Sequence, residues 1–128
     1  MVEFPQSHRD LLQNPVAVLA TIGADGYPQV SAVWFVFDDG TVKVSLNATR
    51  QKTKNLRRHA ECTLFLLDPA NPYRTMEIRA RAEVSTDQSE EIVAKVEQKY
   101  GVDVRENDQP GESRIAVTLH PLKINTWG

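Results

Sequence analysis

The chain has 128 residues, a formal net charge of -2, 41% hydrophobic and 25% charged residues, which is the composition of an ordinary soluble globular protein and is large enough for one domain spanning 1–128. A slightly acidic balance excludes a general nucleic-acid binder, and the single cysteine, Cys62, excludes an internal disulfide and a cysteine-ligated zinc site. No apolar run approaches the roughly 18 residues of a membrane span, and the start MVEFPQSHRD lacks the apolar core of a secretory signal, so a cytoplasmic protein without a membrane partner is expected.

Residues 6–14 read as a short helix capped by Ser7 and stopped at Pro15. VAVLATIG, 16–23, is a strand, and Ala24-Asp25-Gly26 a hairpin turn into a returning strand over 28–38. In that strand Val30, Ala32, Trp34 and Val36 alternate with Ser31, Val33, Phe35 and Phe37. Both faces are apolar, which predicts a central strand. Asp39-Gly40 turns the chain into TVKVSLN, completing an antiparallel meander. Strands at 61–68 and 73–85 follow, the second with Met76, Ile78, Ala80, Ala82 and Val84 on its core face. Asp87 caps a helix that ends at Tyr100 before Gly101, and it reads as packing without chemistry. The aperiodic 102–113 is expected to be a mobile loop, and RIAVTLHP and LKINTW supply the last strand or strands. Six or seven antiparallel strands with two or three helices predict a mainly β protein, a small barrel with Greek-key connections.

The stretch NATRQKTKNLRRH, 47–59, stands out by charge. Arg50, Lys52, Lys54, Arg57 and Arg58 fall within nine residues, and no acidic residue occurs between Gly40 and Glu61. With Thr49 as cap, the first turn would hold Arg50, Gln51 and Lys52, so free N–H groups, the positive end of the helix dipole and two cations would converge on one volume. Cations oppose the dipole there unless an anion offsets them, which favours a phosphate site over a solvated basic face.

Other chemistries are absent from the pattern. Neither G-x-G-x-x-G nor G-x-x-x-x-G-K-[ST] occurs, His8, His59 and His120 lack metal-ligand spacing, and no nucleophile–base order stands out, so no metal and no catalytic residue is assigned. Cys62 reads as a core thiol. What remains is a phosphate site beside an aromatic strand, the two features needed by a flat ring that lies along strand backbone and reaches its phosphate to a helix start.

The residues LATIGADGYPQVSAVWFVFDDG, SLNATRQKTKNLRRH and LFLLDPANPYRTMEIRARAEV, with the closing PLKINTW, resemble the pyridoxamine 5'-phosphate oxidase-like superfamily of FMN-binding split β-barrels. Arg50, Lys52, Asn55 and Leu56 form the R-x-K-x-x-N-L element of its F420-dependent oxidoreductase branch. The resemblance implies a homodimer with cofactor sites at the interface. It implies that Val30, Ser31, Ala32, Val33 and Trp34 lie along the ring, and that Ser45, Asn47, Thr49, Arg50, Gln51 and Lys52 hold the phosphate. It implies hydride transfer between coenzyme F420 and an unsaturated small molecule. The alternatives are an FMN-dependent oxidoreductase on the same fold and a non-catalytic flavin or haem binder. R-Q-K-T stands where vitamin B6 oxidases carry S-R-K-G, which disfavours their reaction. Ala80 stands where the resemblance leads one to expect glycine, and Tyr73, Arg74 and Arg79 are candidate pocket members.

Overall fold

The computed structural model describes residues 2–128. A 3-10 helix, Gln6–Gln13, precedes β1 (Ala17–Ile22), β2 (Pro28–Val33), β3 (Val36–Asp38), β4 (Thr41–Asn47), α1 (Gln51–Arg58), β5 (Glu61–Asp68), β6 (Asn71–Ser85), α2 (Ser89–Tyr100) and β7 (Arg114–Trp127). All seven strands join one antiparallel sheet in the order β2-β1-β5-β6-β7-β4-β3. The sheet curls into the expected split β-barrel, and the non-sequential neighbours β1–β5 and β7–β4 supply the long crossovers.

The inner face carries the core. Leu19, Phe35, Leu64, Leu66, Met76, Ile78 and Leu119 are almost completely buried, each stabilising by about 1.5–3 kcal/mol relative to an exposed side chain. Met76, Ile78 and Ala80 of β6 point inward as their alternation predicts, whereas Glu77, Arg79 and Arg81 point out and pair along the surface. Ala80 sits beside a register shift in the β6–β7 ladder with its methyl in the core, so alanine is accommodated there. A second cluster of Ile92, Val93 and Val96 packs α2 against Val36, Val104 and Ala116. Gly101, at φ 68, ends α2 in the left-handed conformation that glycine adopts without strain. Among the described residues no helix is long and apolar enough to cross a membrane.

Five local expectations are corrected. The 28–38 segment is not a central strand: it breaks at Trp34–Phe35 into β2 and β3, which end opposite sides of the sheet. Phe35 and Val36 are both buried in succession, so alternation fails there. The 102–113 segment is not a free loop, because side chains from α2, β4 and β7 hold it. Neither Ser7 nor Asp87 caps its helix: the caps are Pro5 and Gln88, without side-chain bonds. Thr49 likewise lies before the cap of α1, which is Arg50.

Candidate functional site: a slot between two strand edges

The break in the barrel leaves two backbone edges facing one another. β2 pairs only with β1, and β4 pairs with β3 only through Thr41–Lys43, so Ala32 to Val33 and Val44 to Asn47 have no strand partner on one side. A cavity of about 280 Å³ lies between them, lined by Ala32, Val33 and Trp34 from one edge and Val44, Ser45 and Leu46 from the other, with Val16, Lys52 and Arg114. Unpaired strand edges offer rows of N–H and C=O groups. Aliphatic walls with polar edges suit a flat ring that is apolar on its faces and polar on its rim.

One end of the slot is cationic. α1 begins at Gln51, and helical geometry leaves the N–H groups of Gln51, Lys52 and Thr53 without an intrahelical acceptor. The half-buried Lys52 lines the cavity. Burial, and secondarily the charge of Arg50, pushes its pKa down. That is the signature of a cation without a neutralising carboxylate. Ser45 lines the same cavity and its hydroxyl is buried with no hydrogen-bond partner, and so is that of Ser31 on the inner side of β2. An orphaned hydroxyl, a desolvated ammonium and open helix N–H groups suit a phosphate-bearing ligand.

The slot therefore gathers Ala32, Val33, Trp34, Ser45 and Lys52 from the eleven residues expected at a cofactor site. Val30 stands exposed on the outer face of the same strand, and Ser31 faces inward. Arg50 is exposed at the helix cap, while Gln51 faces a neighbouring groove and donates to Asn55 Oδ1 at 2.8 Å. Asn47 is buried and turned away from the slot. Its amide donates to Asp108 and Glu112, each at 3.1 Å, and its Oδ1 accepts from the Thr49 N–H and hydroxyl. Asn47 and Thr49 thus shape the turn into α1.

Val16, Val44, Leu46 and Arg114 were not legible as site residues. Arg114 enters only because the β4–β7 register sets it opposite Asn47, a relation no local spacing encodes. Its guanidinium donates to Asp108 Oδ2 at 2.9 Å and Oδ1 at 2.8 Å and to the Val104 carbonyl at 2.7 Å, pinning the 102–113 segment. The Arg114 guanidinium holds the Asp108 carboxyl below its ordinary range, and hydrogen bonds from Gln109 N–H, Asn47 and Thr49 do the same for Glu112. Depressed carboxyl pKa values contribute stability that is complete above about pH 4 and is lost as pH falls through the lower folded values. Asp108→Asn is expected to cost about 1–2 kcal/mol at pH 7 and to flatten the loss of stability below about pH 4, as read by urea unfolding across pH.

The remaining candidates lie outside the slot. Burial raises the Cys62 thiol to about 12, an inert core group. His8 is buried and bonds the Trp127 carbonyl at 3.0 Å, and His59 and His120 pair with Glu61 and Glu83. Arg74 is bound by Asp10 and Asp68, Tyr73 is exposed, and Arg79 borders a separate surface groove. Among the described residues no cluster of three or more metal-ligating side chains occurs.

The comparisons with known proteins agree with this architecture. An F420 reductase structure superposes with a TM-score of 0.82 at 28% identity, over 95% of this chain and 98% of that one. A conserved hypothetical protein of Mycobacterium tuberculosis gives 0.80 at 25% identity, over 99% and 86%. The haem storage protein HutZ of Vibrio cholerae gives 0.78 at 17% identity, over 99% and 96%, a likeness of fold alone. The family model of pyridoxamine 5'-phosphate oxidase matches residues 4–128, nearly the whole chain, and the chain belongs to that family.

Proposed function

We propose that this protein is an oxidoreductase that holds a phosphate-bearing tricyclic cofactor in the slot between β2 and β4, coenzyme F420 in the leading reading and FMN in the second. The observation that carries the reading is the coincidence of two free strand edges with an orphaned Ser45 hydroxyl and the desolvated Lys52 at a helix start. The 28% identical F420 reductase supports the deazaflavin.

In this reading the Val30–Trp34 strand runs along the ring with Ala32, Val33 and Trp34 in the slot, Ser45, Lys52 and the backbone N–H groups at Gln51 and Lys52 hold the phosphate with Arg50 near by at the helix cap, and Asn47 and Thr49 fix the turn between them. The cofactor, when bound, supplies hydride to or from an unsaturated small molecule. The chain orients the ring, excludes water with Val16, Val44 and Leu46, and anchors the anionic end. No side chain of the slot is assigned as a proton donor.

A homodimer completes the proposal. Val18, Ala20, Ile22, Val30, Ala32 and Phe65 share the outer face of β2-β1-β5, and Val30 is 60% exposed, an apolar surface that a second copy would cover. Titration of the purified protein with F420 and with FMN, followed by fluorescence, tests the reading alongside the sedimentation mass. Saturable F420 binding at about twice the 14.4 kDa chain mass is expected. Tight FMN binding without any response to F420 overturns the leading cofactor. Binding of either without turnover of enones or quinones assigns a non-catalytic binder, and a monomer at micromolar concentration overturns the dimer.

A further inference from the structure

The C-terminal end of α2 was expected to pack without chemistry, yet it fastens the mouth of the slot. The Tyr100 ring stacks on Trp34 with centroids 4.6 Å apart and planes 13° apart. Its hydroxyl donates to the Pro15 carbonyl at 2.8 Å and accepts from the Phe35 N–H at 3.2 Å. The adjacent Lys99 bonds the Asn14 carbonyl at 2.8 Å and the Phe35 carbonyl at 2.9 Å, with its ammonium 3.9 Å from the Phe35 ring centroid. Two consecutive residues therefore tie segment 14–15 to segment 34–35. Each segment adjoins a residue of the slot, Val16 on one side and Trp34 on the other.

This arrangement accounts for the break in the 28–38 strand. The Phe35 backbone takes its partners from Tyr100 and Lys99 instead of a neighbouring strand, so the chain can leave β2 and cross to β3 without burying unsatisfied groups. Trp34 sits at that crossing, 42% exposed, with Tyr100 stacked on one face of its ring, and it is one of the residues that line the slot.

We infer that Tyr100 is a positioning residue of the slot: it holds Trp34 as a stacking wall for the planar conjugated ring of the ligand. The inference rests on the slot's taking such a ring. Tyr100 touches no part of the cavity itself and acts through the indole. A flat wall fixed from behind gives the ring a platform whose orientation is set before binding, and stacking favours conjugated over saturated ligands.

The test uses the full chain carrying Trp127→Phe, which leaves Trp34 as the single tryptophan, since Trp127 is an exposed side chain that is not among the residues lining the slot. FMN and F420 are the probes. Tyr100→Leu is expected to shift Trp34 emission to longer wavelength and to raise the dissociation constant about tenfold, and Tyr100→Phe, which keeps the stack, to leave the emission unchanged and raise it about threefold. A purely structural role would lower the melting temperature of both variants with neither the emission difference nor the graded loss of affinity. Parent binding with an unchanged constant in Tyr100→Leu overturns this inference alone. A parent that binds neither probe overturns the proposed function and this inference with it. Should Tyr100→Leu fail to fold, an unchanged constant in Tyr100→Phe overturns the inference, and the threefold loss with parent-like emission supports it.

Discussion

Replacing Lys52 by alanine is expected to weaken cofactor binding by about 1.5–3 kcal/mol, roughly ten- to 150-fold in dissociation constant, while leaving the stability of the free protein unchanged or slightly higher. The two effects differ in sign for one physical reason. In the free protein the ammonium is half-buried, burial and Arg50 both disfavour its charge, and it stands in the first turn of α1, where the helix dipole opposes a cation. Removing it relieves those penalties. In the complex a phosphate would turn the same charge into a charge-assisted hydrogen bond at a site already partly desolvated. Fluorescence titration beside thermal unfolding reads both quantities. Added salt should weaken the parent's binding more than the variant's, because the variant lacks one of the screened charges. An affinity that survives the substitution removes Lys52 from the anionic end of the site.

Much of the fold follows from local pattern. The period-2 alternation of β6, the Asp39-Gly40 turn with both residues at positive φ and the Gly101 stop of α2 are each fixed by neighbours within a few residues. The errors fall where distant partners decide. Val30 to Phe37 carry apolar residues on both faces in a central strand and equally in a chain that changes sides of the barrel, and only the bonds from Tyr100 and Lys99 to Phe35 select the second. The 102–113 segment lacks periodicity, but Arg114, Asn47 and Glu97 supply its order through side chains. The cationic end of the slot was legible as a cluster because its charges lie close together in the chain. On the opposite edge only Ser45 was legible; Val44, Leu46 and Arg114 were not, because the slot exists only once the sheet has closed far enough to bring β4 before β2.

Asn55→Ala, unlike Lys52→Ala, should lower stability as well as affinity. Asn55 is fully buried on the inner side of α1. Its amide donates to the Thr21 hydroxyl at 3.0 Å and to Gln29 Oε1 at 3.4 Å, while its Oδ1 accepts from Gln51 at 2.8 Å and Arg58 at 3.2 Å. Those bonds join α1 to β1 and β2 and so set the rotation of the helix that carries Lys52 to the slot. Alanine leaves the buried Thr21 hydroxyl and the Gln29 amide short of a partner and opens a small cavity, a cost of about 2–4 kcal/mol in urea unfolding. With its attachment to the hairpin lost, α1 is free to change its angle to β2, and Lys52 with the first-turn N–H groups moves relative to the slot. Cofactor affinity should then fall even at temperatures where the variant remains fully folded. Affinity that holds at the parental value in a destabilised but folded Asn55→Ala protein would mean that the phosphate end does not depend on the orientation of α1. The helix start would then no longer serve as the anchor.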